Sequence, residues 1–206
     1  MKTETGIAAL PYRRALAQMP IGAVVIEGAY GRATADRIRA ELDEAGFSPF
    51  RLRHHGCYER RDTVPSAALV AELHELAEYV TATSLAVTDT ACLRLRRGDY
   101  VLAKAGEPDF GEQRGYELTL DVSASSSGEA QVVYARRGEH FFAAPQLATS
   151  VALVERRPSI TRYDRYLNHR IGDRVVHRIR LALVRSGVAE TEPPSRGPDS
   201  LPKVDV

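Results

Sequence analysis

The sequence predicts a mainly β domain with helices in its N-terminal part, which is an α+β class. Two early segments carry apolar residues at every third or fourth position, as amphipathic helices do. From Thr83 onward, apolar and polar residues alternate instead, and turn-forming clusters such as Gly98-Asp99 interrupt the alternation at short intervals. Helices followed by roughly seven or eight short strands are typical of a sandwich or barrel of antiparallel strands.

Composition and charge fit a globular domain with one buried core. Of the 206 residues, 44% are apolar and 27% are charged, which is close to the globular average. The net charge is +1 and no long basic block occurs, which argues against nucleic acid or a membrane surface as the main partner.

The targeting signals and the cysteines indicate the cellular location. No segment approaches the roughly 18 apolar residues of a membrane span, and the first residues lack the apolar region of a signal peptide. Cys57 and Cys92 are the only cysteines, and they lie too far apart for a Cys-x-x-Cys pair. These features predict a cytoplasmic protein with reduced thiols.

The N-terminal part is predicted to contain one strand and two helices. The β-branched run Ile21–Glu27 predicts a strand, and Arg32–Ala45 predicts a helix that ends before Gly46. A second helix is predicted over Ser66–Ala82, with Ser66 as its N-cap. Residues 5–19 carry mixed helical signals that Pro11 interrupts, and residues 46–58 are expected to be either irregular or extended.

The rest of the domain is predicted to consist of short strands. They are placed at 88–96, 100–103, 116–122, 131–136, 140–143, 150–155 and 178–184. Residues 1–188 then form a single domain. Residues 189–206 are rich in proline and poor in bulky apolar side chains, so we expect a disordered tail.

Four segments occur in an order that resembles a known family. They read IGAVVIEGAYGRATADRIRAELDEAGF, LRLRRGDYVLAKAGEPD, YELTLDVS and YLNHRIGDRVVHRIRLALV. Together, over about residues 20–185, they resemble the Fe(II)- and 2-oxoglutarate-dependent oxygenases of the prolyl-hydroxylase type. The resemblance implies a double-stranded β-helix, or jelly roll. It also implies Fe(II) held by two histidines and a carboxylate, with 2-oxoglutarate bound beside it through a basic residue.

The resemblance assigns roles to residues near the C-terminal strands. His169 takes the place of the distal iron-binding histidine. Arg178, or alternatively Arg180, takes the place of the arginine that binds the far carboxylate of 2-oxoglutarate. We expect His169 and Arg178 to project into one pocket at the mouth of the barrel. The alternative is that the two arginines line a solvated outer face.

The first iron-binding motif, His-x-Asp, is degenerate in this chain. Its two positions are occupied by Lys104 and Gly106, and the nearest displaced carboxylates are Glu107 and Asp109. Of 28 basic residues, Lys104 is the one lysine away from the termini. Its ammonium group could replace the metal and bind a carboxylate. The alternative is an exposed lysine on a loop.

Two functions remain open at this point. The first is an oxygenase that hydroxylates a small molecule or peptide, with Fe(II) bound by His169 and a displaced carboxylate such as Asp109. The second is a catalytically inactive, metal-free relative that acts as a ligand- or protein-binding module. The loss of the His-x-Asp motif favours the second, because likeness of fold does not by itself imply activity.

Overall fold

The structure is a computed structural model that describes residues 9–52, 54–102 and 114–186. Within these residues it contains three helices, eleven strands and one short 3₁₀ helix. The elements are α1 Ala9–Gln18, β1 Ala23–Ile26, α2 Arg32–Ala45, β2 Ser48–Leu52, β3 Gly56–Arg61, α3 Ala67–Thr81, β4 Leu85–Leu95, β5 Tyr100–Val101, β6 Gly115–Asp121, β7 Ser127–Arg136, β8 Glu139–Gln146, β9 Val151–Arg156, β10 Ile160–Asp164, the 3₁₀ helix His169–Ile171, and β11 Val176–Arg185. None of the helices in this part of the chain is long and apolar enough to span a membrane.

The strands form one antiparallel sheet that curls into a nearly closed barrel. Their order is β1-β9-β6-β11-β4-β3-β5-β10-β7-β8, and β2 forms a hairpin with β3. Strands β1 and β8 are therefore the two ends of the sheet. The predicted mainly β, α+β class is confirmed.

The outer face of strands β6, β9 and β11 packs against the helices. Every second residue of a strand points to the same face, so Leu118, Leu120 and Ile179 lie on this outer face. They share one apolar core with Leu42 of α2 and Leu73 of α3, both of which are fully buried. The other residues of the same strands face the interior of the barrel.

The barrel contains two further apolar clusters and a group of charged side chains. The first cluster lies around Ile21, Val154 and Ile160, and we call it the apolar plug. The second lies around Leu95 and Ile171. The charged side chains form the candidate site described below.

The predicted helices agree closely with the structure. Helix α2 has the predicted bounds, and Gly46 follows it with a φ of +76°, a conformation that glycine adopts without steric cost. Helix α3 begins after Ser66, whose side chain accepts a hydrogen bond of 3.2 Å from the backbone N–H of Leu69. The periodic apolar residues and the terminal residues were sufficient to define both elements.

The structure differs from the sequence-based expectation at Pro11, resolves the alternatives at 46–58 and adds one strand. Pro11 does not interrupt α1, because it is the third residue of the helix, where a backbone N–H has no partner within the helix in any case. The stretch 46–58 is extended, since it contains most of the β2–β3 hairpin. Strand β10, which the alternation did not predict, lies between β5 and β7.

Candidate functional site

Among the described residues, seven charged side chains lie in the interior of the barrel and are almost completely buried. Charged residues are rarely buried to this extent unless they are paired. Each of the seven is at most 4% exposed: Arg156, Arg162, Arg178, Arg180, Glu117, Asp121 and Asp164. They belong to strands β6, β9, β10 and β11. Strand β10 is not adjacent to the other three strands in the sheet, so contacts between its side chains and theirs cross the interior of the barrel.

The alternation of side chains along the strands explains why these residues face inward. On β6, Leu118 and Leu120 pack against the helices, so Glu117 and Asp121 point into the barrel. The register then places inward residues of neighbouring strands opposite each other, as with Arg178 of β11 and Asp121 of β6. The charges therefore form one group.

Glu117 is the centre of one half of this group. Its Oε1 accepts a hydrogen bond of 2.8 Å from the Tyr134 hydroxyl and lies 3.1 Å from Nε of Arg162. Its Oε2 accepts a hydrogen bond of 3.2 Å from Nη1 of Arg156. Burial by itself raises the pKa of Glu117, but the surrounding guanidinium groups outweigh it and hold the pKa below its usual range. Glu117 is therefore an ionised, buried carboxylate.

Asp164 and Asp121 form the other half of the group. Asp164 Oδ2 lies 2.7 Å from Nη1 of Arg162, and its Oδ1 accepts a hydrogen bond from Nη1 of Arg178. Arg178 also lies 3.9 Å from Asp121, whose Oδ1 accepts a hydrogen bond of 3.0 Å from Gln146. Burial raises the pKa of Asp121 despite these contacts. We call the sequence Arg156–Glu117–Arg162–Asp164–Arg178–Asp121 the ion-pair chain.

Arg180 lies beside the ion-pair chain and close to two hydroxyl groups. Burial lowers the pKa of Arg180, and the nearby Arg162 lowers it further, while Glu117 and the half-buried Asp89 oppose this effect. Arg180 is directly opposite Thr119 of β6 in the sheet register. It also acts on the pKa of Tyr58, which is raised by burial and lowered by the fields of Arg60, Arg180 and Arg162.

The hydroxyl groups of Tyr58 and Thr119 are buried and make no hydrogen bond of standard geometry with the described residues, although Arg60 is close enough to Tyr58 to lower its pKa. A buried hydroxyl without a partner costs about 1–3 kcal/mol. Such groups in a native protein call for a ligand, a water molecule or an undescribed neighbour. We call Tyr58, Thr119 and Arg180 the hydroxyl–arginine corner.

All six histidines of the sequence lie among the described residues, and none of them belongs to the ion-pair chain or to the hydroxyl–arginine corner. Their positions are as follows: His54 and His55 are exposed in the β2–β3 turn, His74 of α3 contacts the carbonyl of Leu85, His140 is exposed on β8, His169 is exposed in the 3₁₀ helix, and His177 faces Asp43 of α2. The histidines are thus dispersed over the molecule.

The structure places the predicted site residues in different surroundings. Arg178 and Arg180 are brought together in the barrel, so the alternative that they line a solvated outer face is wrong. His169 is exposed in the 3₁₀ helix, whereas Arg178 is buried and bound to Asp164, so the structure does not bring these two side chains together. Lys104 and Asp109 lie outside the described residues, and their roles stay predictions.

The sequence does not predict most of the ion-pair chain. Glu117 and Asp121 lie in a segment whose pattern predicts only a core strand, and Arg162 and Asp164 lie in the unpredicted strand β10. A signal was nevertheless present, because Glu117 and Asp121 alternate with leucines in a strand with no turn residues. Polar residues at every second position of such a strand, here Glu117, Thr119 and Asp121, indicate that one face of the strand is polar.

Comparisons with known proteins reveal the fold. No family model and no curated protein matches the chain. Among solved structures, a prolyl-4-hydroxylase from Pseudomonas putida has a TM-score of 0.62 at 10% identity, over 86% of this chain and 98% of that chain. A 2OG-Fe(II) oxygenase family oxidoreductase from Burkholderia pseudomallei has a TM-score of 0.64 at 11% identity, over 86% and 91%. The chain has the fold of the 2-oxoglutarate/Fe(II) oxygenases.

A further solved structure with this fold is that of an epimerase. The epimerase SnoN from nogalamycin biosynthesis has a TM-score of 0.65 at 11% identity, over 95% of this chain and 93% of that chain. The double-stranded β-helix predicted from the sequence is thereby confirmed. At these identities the likeness shows the oxygenase fold alone, so activity has to be judged from the residues inside the barrel.

The described residues inside the barrel do not fit an Fe(II) site. The facial triad of the oxygenase fold needs two histidines and a carboxylate around one point, and the six histidines lie elsewhere. In the part of the chain that the structure describes, no three His, Cys, Asp or Glu side chains are placed to hold a metal ion. The four guanidinium groups in the interior would also repel a divalent cation in a medium of low dielectric constant.

Proposed function

We propose that this protein is a metal-free relative of the oxygenases that binds a small dicarboxylate, such as 2-oxoglutarate, inside its barrel. The observation that carries the proposal is the charge of the interior. Among the described residues, four buried guanidinium groups there face three buried carboxylates, and the buried hydroxyls of Tyr58 and Thr119 lie beside them. An anionic ligand would offer carboxylate oxygens as acceptors to these guanidinium and hydroxyl donors.

The hydroxyl–arginine corner is the proposed contact for a ligand carboxylate. The resemblance to the oxygenases favours Arg178. We prefer Arg180 because the sheet register places it opposite Thr119 and because it acts on the pKa of Tyr58, so it lies beside both hydroxyls. A planar guanidinium flanked by hydroxyls binds a carboxylate through charge-assisted hydrogen bonds.

Calorimetric titration of the protein, stripped of metal with EDTA, tests the proposal. We expect 2-oxoglutarate or succinate to bind to the metal-free protein. Arg180→Gln should weaken this binding about 10- to 100-fold, since a hydrogen bond to a charged group contributes about 1.5–3 kcal/mol. Tyr58→Phe should weaken it less, because only a hydroxyl is lost.

The matched control is Arg174→Gln, which removes an arginine from an exposed position. It should bind the ligand as the unmodified protein does. The absence of binding of both acids to folded protein would overturn the proposal. So would equal affinity of the Arg180→Gln and Tyr58→Phe variants and the unmodified protein, with folding verified by circular dichroism.

A further inference from the structure

A second cleft lies at the end of the barrel where the two outer strands of the sheet begin. It has a volume of about 500 Å³, within the roughly 300–1,000 Å³ of pockets that bind small molecules. Its lining comes from the approach to β1 and from the β7–β8 turn, and includes Ile21, Arg136, Arg137, Glu139, His140 and Phe141. Ile21 belongs to the apolar plug. None of the residues that line the cleft belongs to the ion-pair chain or to the hydroxyl–arginine corner, so the cleft is separate from the proposed dicarboxylate site.

The cleft carries positive charge that is not neutralised by ion pairs. Arg136 and Arg137 are exposed, and neither forms an ion pair or a side-chain hydrogen bond with the described residues. Glu139 is the one carboxylate among the described lining residues. Arg137 has a φ of +52° and precedes Gly138 in the turn, a position where asparagine, aspartate or glycine is favoured. The turn thus presents an arginine where backbone geometry alone would favour another residue.

The remaining lining residues offer an oriented polar group and an apolar surface. The Tyr163 hydroxyl lies 2.8 Å from Nε2 of His140, which fixes this ring and leaves Nδ1 for a ligand. Phe141 and Ile21 provide the apolar part of the lining. An anionic group and an apolar body could therefore be bound side by side.

A cleft of similar size elsewhere serves as a comparison. It measures about 480 Å³ and lies between the end of α2 and strands β2 and β3. Its two arginines are already engaged, because Arg60 pairs with Asp62 and Arg61 donates a hydrogen bond of 2.6 Å to the carbonyl of Ala45. The cleft at the β7–β8 turn is thus the better candidate for an anion.

We propose that the cleft at the β7–β8 turn binds an organic anion that combines a phosphate or carboxylate with an apolar body. The guanidinium groups of Arg136 and Arg137 hold the anionic group. Ile21 and Phe141 contact the apolar body, and His140 contributes a hydrogen bond. This site is independent of the metal-free dicarboxylate site in the barrel.

A nuclear magnetic resonance titration of the ¹⁵N-labelled full chain with phenyl phosphate tests this proposal. We expect saturable shifts of the backbone amides around Ile21 and from Arg136 to Phe141. Inorganic phosphate should bind more weakly because it lacks the apolar body. The double variant Arg136→Ser, Arg137→Ser should lose at least about tenfold in affinity, since charge-assisted contacts are removed.

The matched control is the double variant Arg165→Ser, Arg174→Ser, which removes two exposed arginines elsewhere. It should bind phenyl phosphate as the unmodified protein does. The proposal would be overturned by the absence of saturable shifts in the cleft. It would also be overturned if the two double variants lost affinity equally, because the effect would then reflect overall charge alone.

Discussion

Glu117→Gln is expected to lower the free energy of unfolding by about 3–5 kcal/mol, the cost of leaving buried charges without their partner. Glu117 is fully buried and contacts the guanidinium groups of both Arg156 and Arg162. Glutamine has nearly the same shape and can still accept the hydrogen bond from Tyr134. The decrease in the free energy of unfolding therefore measures the loss of the negative charge rather than a change in packing. Equilibrium denaturation in urea measures it.

The matched control for this prediction is Glu41→Gln on helix α2. Glu41 pairs with Arg37 at 3.0 Å, and both side chains are exposed. Removal of an exposed pair of this kind costs at most about 1 kcal/mol. If Glu117→Gln is no more destabilising than Glu41→Gln, the ion-pair chain does not hold the barrel together.

Asp164→Asn is the second substitution with a large expected effect, again about 3–5 kcal/mol of the free energy of unfolding. Asp164 is 2% exposed and pairs with Arg162 through one oxygen and with Arg178 through the other. Asp164 joins the two halves of the ion-pair chain, so the substitution removes a carboxylate partner from both Arg162 and Arg178.

Asp121→Asn is the comparison for Asp164→Asn. Asp121 lies 3.9 Å from Arg178, farther than a hydrogen bond. Burial raises its pKa, so ionisation of Asp121 is already disfavoured in the folded protein. We expect Asp121→Asn to be clearly less destabilising than Asp164→Asn in the same urea experiment. Equal effects would show that the individual contacts within the ion-pair chain do not determine stability.

The sequence was sufficient to predict the fold class and the helices that cover the barrel. The apolar period of α2 and the glycine that follows it are local signals, and the structure reproduces the predicted bounds. Strand β10 lacked such a signal. Two of its three inward residues, Arg162 and Asp164, are charged, so the strand does not show the apolar alternation of a half-buried strand.

The site was predicted only in part, because its partners come from strands that are distant in sequence. Arg178 and Arg180 were identified through the resemblance of the C-terminal segment to the oxygenases. Their surroundings depend on the register of β11 with β6, which brings Asp121 opposite Arg178. The spacing from His169 to Arg178 suggested a shared pocket. His169 is instead the first residue of a 3₁₀ helix and is exposed. The spacing alone does not predict this helix.

If the proposed function is right, binding of 2-oxoglutarate in this oxygenase fold does not depend on iron. An anaerobic titration with 2-oxoglutarate, in the presence of either Fe(II) or EDTA, tests this most directly. We expect the same affinity in both conditions and no visible absorption band from an iron–2-oxoglutarate complex. We also expect no succinate after admission of air and no iron retained after desalting. Binding that requires Fe(II), accompanied by the absorption band and by succinate, would contradict it.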